Sequence, residues 1–120
     1  MRDASGIARQ RPGERGSVAA ELAIALPAVV LTVLLGVGAL SGAARHVALQ
    51  DAAADAARVL GRGEEVGTAA ALVSRAVPGA SLSSAAHDDL VCVVARADLA
   101  LGAMIRMPLR ASSCALDGGR

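Results

Sequence analysis

The dominant pattern in the chain is a run of 23 residues, Leu22 to Ala44, that contains no charge. About 20 apolar residues span a bilayer as a helix, so the run predicts one membrane-crossing helix. Its polar members are Thr32 and Ser41, whose hydroxyls can bond back to the helix backbone. Pro27, Gly36, Gly38 and Gly42 would weaken a soluble helix but are tolerated in lipid, and Pro27 predicts a kink. Arg45 to Leu60 has no Gly or Pro and many good helix formers, so the helix is expected to continue outward. From Ala20 to Leu60 this makes roughly 60 Å of helix. Val47, Ala54 and Ala57, with Leu49 and Ala53 beside them, are expected to line its apolar face. Asp51, Asp55 and Arg58 share another face, with Asp55 and Arg58 at pairing distance. Gly61-Arg62-Gly63 ends the helix.

Glu64 to Val77 reads as a second, shorter helix, with its acids in the first turn and Arg75 in the last, as the macrodipole favours. Pro78-Gly79 stops it. Three strands follow, at about 81–86, 90–97 and 103–110, the middle one rich in Val. His87-Asp88-Asp89 and Ala100 to Gly102 are the expected turns. In the last strand Ile105, Met107 and Leu109 alternate with Met104, Arg106 and Arg110, and Pro108 demotes it to a sheet edge. The tail, 115–120, is expected to be disordered. The pattern thus predicts an α+β protein: a long N-terminal transmembrane helix extending outward, a second short helix and a small antiparallel sheet of about three strands.

Charge gives this layout a direction. Residues 1–16 carry four Arg against Asp3 and Glu14, residues 17–44 carry only Glu21, and residues 45–120 carry eight Arg against eight acids. A basic head before an apolar span places the N-terminus in the cytoplasm by the positive-inside rule; Arg45 and His46 weaken that bias without reversing it. The expected organisation is a basic cytoplasmic leader (1–16), a transmembrane helix (17–44) and an extracytoplasmic domain (45–120) in the cell membrane. A net charge of +1 and the absence of aromatic residues argue against a nucleic-acid binder. Without Phe, Tyr or Trp, the core must be built from Ala, Val, Leu and Ile, each burying modest area.

The segment at the head of the span carries the most information: Arg15-Gly16-Ser17-Val18-Ala19-Ala20-Glu21, then Leu22 to Leu26 and Pro27. It resembles the class III signal of type IV prepilins, which a dedicated membrane peptidase cuts after the glycine. The resemblance places the cut between Gly16 and Ser17 and makes Glu21 the fifth residue of the mature chain. An acid at the head of a membrane helix is costly and takes a partner. In a pilin-like assembly Glu21 would neutralise the amino terminus of a neighbouring subunit, setting assembly register through a buried charge pair. The competing readings are a plain loop glycine, Ser17 as a helix N-cap, and a Glu21 that snorkels to the membrane edge. With the alanine-rich Gln50 to Arg58 just beyond the span, the layout resembles the TadE family of small pilin-like proteins of tight-adherence (Flp-type) pilus systems. The resemblance covers about residues 15–60. It implies a minor pilin or pseudopilin supporting assembly of a fibre made mainly of another subunit. Its partners would be the membrane, a prepilin peptidase, other pilin or pseudopilin subunits and assembly-platform membrane proteins. Small residues such as Gly36, Ala39 and Gly42 would permit close contact with partner helices.

Cys92 lies on the Val-rich strand and Cys114 follows the last strand, so a hairpin can bring them together. Outside the membrane they can oxidise, and the loop they close would stabilise the domain by about 3 kcal/mol; the alternative is two buried thiols that never pair. His46 and His87 are far apart in sequence and no close-spaced ligand pair exists, so no metal or other cofactor is expected. Ser83, His87 and Asp89 can be assembled into a nominal triad, but no nucleophile elbow surrounds the serine. No enzyme activity, small-molecule substrate or nucleic-acid partner is expected. Two other functions remain open at this point: a secreted small domain with an ordinary signal peptide cut near residues 41–44, and an uncleaved single-pass scaffold of a secretion machine.

Overall fold

The computed structural model describes residues 12–118, with side chains from Arg15 onward; residues 1–11 of the expected leader lie outside the described part. The chain is α+β, with element order α1 (Pro12–Gly61), α2 (Val66–Ala76), β1 (Ser81–His87), β2 (Leu90–Leu101) and β3 (Ile105–Leu116). It divides into two compact units, Met1–Val37 and Gly38–Arg120. Within the first unit α1 begins at Pro12, five residues before Ser17, where the transmembrane helix was expected to begin. Proline suits a first helical turn, because the N–H it lacks would be unsatisfied there anyway. The helix continues through Pro27, where the Ala23 carbonyl loses its amide donor.

The second unit packs the outer part of α1 and α2 against a three-stranded antiparallel sheet of order β1-β2-β3. The buried positions of α1 are Leu49, Ala52, Ala53, Ala56, Ala57, Val59 and Leu60, the three-four spacing of one helix face. This corrects the expected face in part: Leu49, Ala53 and Ala57 are buried as expected, but Val47 is exposed and Ala54 only half-buried. The buried set turns away from Val47 because it is the small residues Ala52, Ala53, Ala56 and Ala57 that lie against the sheet. Ala69 and Val73 of α2, Val93, Ala95 and Ala97 of β2, and Ala111 of β3 complete the core with Val77. Eight of these fourteen buried residues are alanine. The core is therefore thin, and its layers lie close.

α2 starts two residues after the expected Glu64. Glu65 is its N-cap residue but makes no side-chain capping bond. The β1–β2 turn is the pair Asp88-Asp89, and Asp88 takes the left-handed conformation (φ 51°) that Asp tolerates better than most residues. His87, expected in that turn, is instead the last residue of β1 and pairs with Leu90. β2 and β3 each extend further than their sequence suggests. β2 runs to Leu101 and β3 begins at Ile105, so the second turn falls at 102–104 rather than at 100–102. β3 continues six residues beyond Arg110, and Pro108 does lie on an edge strand. The expected disorder at 115–120 does not hold for its first four residues. Ala115 and Leu116 belong to β3. The Asp117 N–H donates to the Asp89 carbonyl (2.7 Å), and the Gly118 N–H donates to the Gly61 carbonyl (2.7 Å). Gly119 and Arg120 lie outside the described residues.

Contacts along the second unit fix the direction of the helix on the sheet. Gly38 lies under Leu101, Gly42 under Leu99, and Gly61 against Leu116. Gln50 Nε2 donates to the Ser112 carbonyl of the β3 edge (3.1 Å). The outer part of α1 thus runs opposite to β2 and in the same direction as β3.

Candidate processing site and the fastening of the outer domain

Gly16, Ser17 and Glu21 all lie on α1 and are exposed. Among the described residues nothing lies within 4 Å of the point a Cβ would take on Gly16. Because the helix already runs from Pro12, Ser17 is interior to it, which removes the N-cap reading of that residue. An α-helical peptide bond has its carbonyl engaged by the amide four residues on. A protease attacking between Gly16 and Ser17 must first open that turn. Glycine lowers the cost of opening by about 1 kcal/mol relative to alanine. Beyond Glu21, α1 holds an 18-residue window of mean hydropathy 2.5, none of it buried. It is long and apolar enough to cross a membrane, and the large side chains of the run, from Leu22 to Leu40, are more than half exposed. A core helix of a soluble domain would be covered. Thr32 Oγ1 donates to the Ala28 carbonyl (2.8 Å), so this polar side chain is satisfied within the helix.

Of the small residues expected to face partner helices, Gly36 has nothing within 4 Å of its absent Cβ. Gly42 does not fit that role. The Leu99 side chain of its own chain comes to 2.9 Å of the position a Cβ would take. The same hairpin places Leu101 at 3.6 Å from the corresponding point on Gly38. The last turns of the uncharged run are thus partly occupied by the β2–β3 hairpin. Sequence reasoning stopped β2 at Ala97 and missed Leu99 and Leu101. Their alternation beyond Asp98 was the available signal.

Arg45, the first charge after the run, was also missed as a structural residue. Its guanidinium donates to the Pro78 carbonyl (3.1 Å), in the turn between α2 and β1, and its buried Nε has no hydrogen-bond partner among the described residues. The C-terminal domain is thereby tied to α1 at the point where the uncharged run ends. On the surface of α1, Arg58 Nη1 and Asp55 Oδ1 form the expected ion pair at 3.0 Å.

Cys92 and Cys114 form a disulfide. The bond joins directly opposite positions, because Cys114 lies within β3 rather than after it and pairs with Cys92 in the β2–β3 ladder. Both project from the face of the sheet opposite Val93, so the bridge staples the uncovered face. The nominal triad is not assembled. Ser83 and His87 lie four residues apart on β1, about 13 Å at strand rise, and Ser83 Oγ donates to the Val94 carbonyl (3.4 Å). Among the described residues no group of three His, Cys, Asp or Glu side chains is placed to hold a metal ion. An open groove of about 800 Å³ runs along α2, lined by residues including Asp55, Glu65, Thr68 and Arg75. Compared with protein families, curated proteins and solved structures, the chain matches none of them significantly.

Proposed function

We propose that the chain is a TadE-like minor pilin or pseudopilin of a tight-adherence (Flp-type) pilus system, processed by a prepilin peptidase after Gly16. The observation that carries the proposal is the exposed, uncharged helical run headed by a lone acid, Glu21, five residues after an unobstructed glycine. The helix crosses the membrane once with its N-terminus in the cytoplasm, and the domain beyond Arg45 lies outside. Cleavage releases a new amino terminus at Ser17, one helical turn from Glu21. Glu21 pairs with the amino terminus of a neighbouring subunit. The disulfide agrees with an oxidising compartment for that domain.

The packing of the hairpin on α1 also weighs against a signal-peptide cut near residues 41–44. Such a cut would strip Gly38 and Gly42 from the leucines that cover them and would fall beside the Arg45–Pro78 tie. The test is the N-terminal sequence and intact mass of the protein from the membrane fraction of its native host. A chain beginning at Ser17, and loss of that start in Gly16→Ala, is the expected result. A start near Ala43 would overturn the proposal, and an intact Met1 would make the protein an uncleaved scaffold.

A further inference from the structure

We infer that the tip of the β2–β3 hairpin is a second membrane contact, inserting its apolar side chains at the headgroup–acyl boundary of the outer leaflet. The inference rests on the reading of α1 as a membrane span. Leu101 covers Gly38 and Leu99 covers Gly42, and both glycines belong to the uncharged run that ends at Ala44. Gly38 lies six residues before Ala44, about 9 Å of helix. The hairpin therefore descends beside the span to the depth at which amphipathic surface elements bury their apolar faces, about 5–10 Å.

The side chains at the tip fit that level. Leu99 pairs with Met107 and Leu101 with Ile105, four apolar residues on one face of the hairpin. Met104 at the turn is 95% exposed, and Ile105 and Met107 are about half exposed. An exposed apolar cluster on a two-stranded tip is unfavourable in water and favourable at a lipid boundary. The opposite face is net basic, carrying three arginines and one acid, Asp98. Arg96 pairs across the strands with Arg110, and Arg106 lies four residues along the same face. Like charges placed directly opposite repel. Among the described residues none of these three arginines joins an ion pair. Arg106 pairs with Ala100, between the levels of Leu99 and Leu101, so it sits inside the end of the uncharged run. Arg110 sits about 13 Å further along β3, beyond that end. The two arginines bracket the zone of lipid phosphates, which long basic side chains reach while their stems stay in apolar surroundings. The tip stops at this boundary because deeper insertion would place the unpaired backbone of the β3 edge in hydrocarbon.

The test uses the absence of aromatic residues from the chain, which makes any introduced tryptophan the only one. Three full-length single variants, Met104→Trp, Leu34→Trp and His87→Trp, are reconstituted in phosphatidylcholine–phosphatidylglycerol vesicles containing lipids brominated near the top or near the end of their acyl chains. All three sites are exposed, so folding is not at risk. The expected result is blue-shifted emission at position 104, quenched about twofold or more by the shallow bromines. Deep bromines should quench position 34, and position 87 should respond to neither. Quenching at position 34 with none at position 104 would overturn the inference and leave the span intact. Blue-shifted but unquenched emission at position 104 would assign the tip to a second copy of the chain and also overturn it. Absence of quenching at position 34 would remove the span, and the inference with it.

Discussion

Gly61→Ala tests how tightly the C-terminal domain closes at the end of α1. A Cβ at Gly61 would lie 2.6 Å from the Leu116 carbonyl oxygen and 3.4 Å from the Ala115 side chain. The near neighbour is backbone and cannot rotate away. It is held by the Gly118–Gly61 and Asp117–Asp89 hydrogen bonds, so relief requires shifting the end of β3 against both. Overpacking of this kind costs about 1–3 kcal/mol, and loss of the Gly118 bond adds about 1 kcal/mol. Alanine recovers at most about 1 kcal/mol of helix propensity, less at a helix end. The net expectation is a loss of about 1–3 kcal/mol. For a domain of this size each kcal/mol lowers the melting temperature by about 4–8 °C. Gly67→Ala is the opposite control. It lies in α2 with nothing within 4 Å of its absent Cβ, so the same change should stabilise by about 0.5 kcal/mol. The assay is thermal unfolding of the full-length chain in detergent, followed by far-ultraviolet circular dichroism. If Gly61→Ala melts at or above the parent while Gly67→Ala gains, the close approach of Gly61 to β3 is wrong.

The Cys92–Cys114 bond closes residues separated by 22 positions; replacing both cysteines with serine should cost about 3 kcal/mol in chemical denaturation of the non-reduced proteins. Leu49, fully buried among alanines, should lose about 2–5 kcal/mol on replacement by alanine, and a loss below 1 kcal/mol would show that the helix does not seat there. Ala53→Leu, at a fully buried position, should also destabilise, by about 1–3 kcal/mol, because the thin core has no room for three more carbons. Asp55→Ala should change stability by less than about 1 kcal/mol, since both members of its ion pair are more than half exposed.

How far the sequence discloses this structure depends on what each signal is made of. The uncharged run is unmistakable because hydropathy is summed over many residues, and the Val-rich Leu90 to Ala97 announces a strand by β-propensity. Pro108 marks its strand as an edge because it lacks an N–H. The second half of β3 was invisible for the converse reason. Ala111, Ser112, Ser113 and Ala115 have weak strand preferences, and they are held extended by pairing with Val91 to Ala95. The helix face was legible only in part, at Leu49, Ala53 and Ala57, because alanine is apolar enough for either side. Only the close approach of the sheet selects Ala52 and Ala56 over Val47. At the candidate processing site the helix was expected from Ser17 onward, but its extension back through Gly16 to Pro12 was not. Nor could sequence show that Gly38 and Gly42 serve the chain's own hairpin, since a glycine records nothing about which neighbour fills the space beside it.

The direction of α1 on the sheet has a mechanical consequence. The outer part of the helix and β3 run the same way, joined at Gln50–Ser112 and again at Gly61–Gly118. A tug along the helix axis toward Gly38 therefore loads these attachments in shear, all at once, rather than peeling them one after another. The disulfide binds β3 to β2, so the strand that receives the load cannot slip alone. A domain built this way can bear a pull along its helix without first coming apart at the Gly61–Gly118 end.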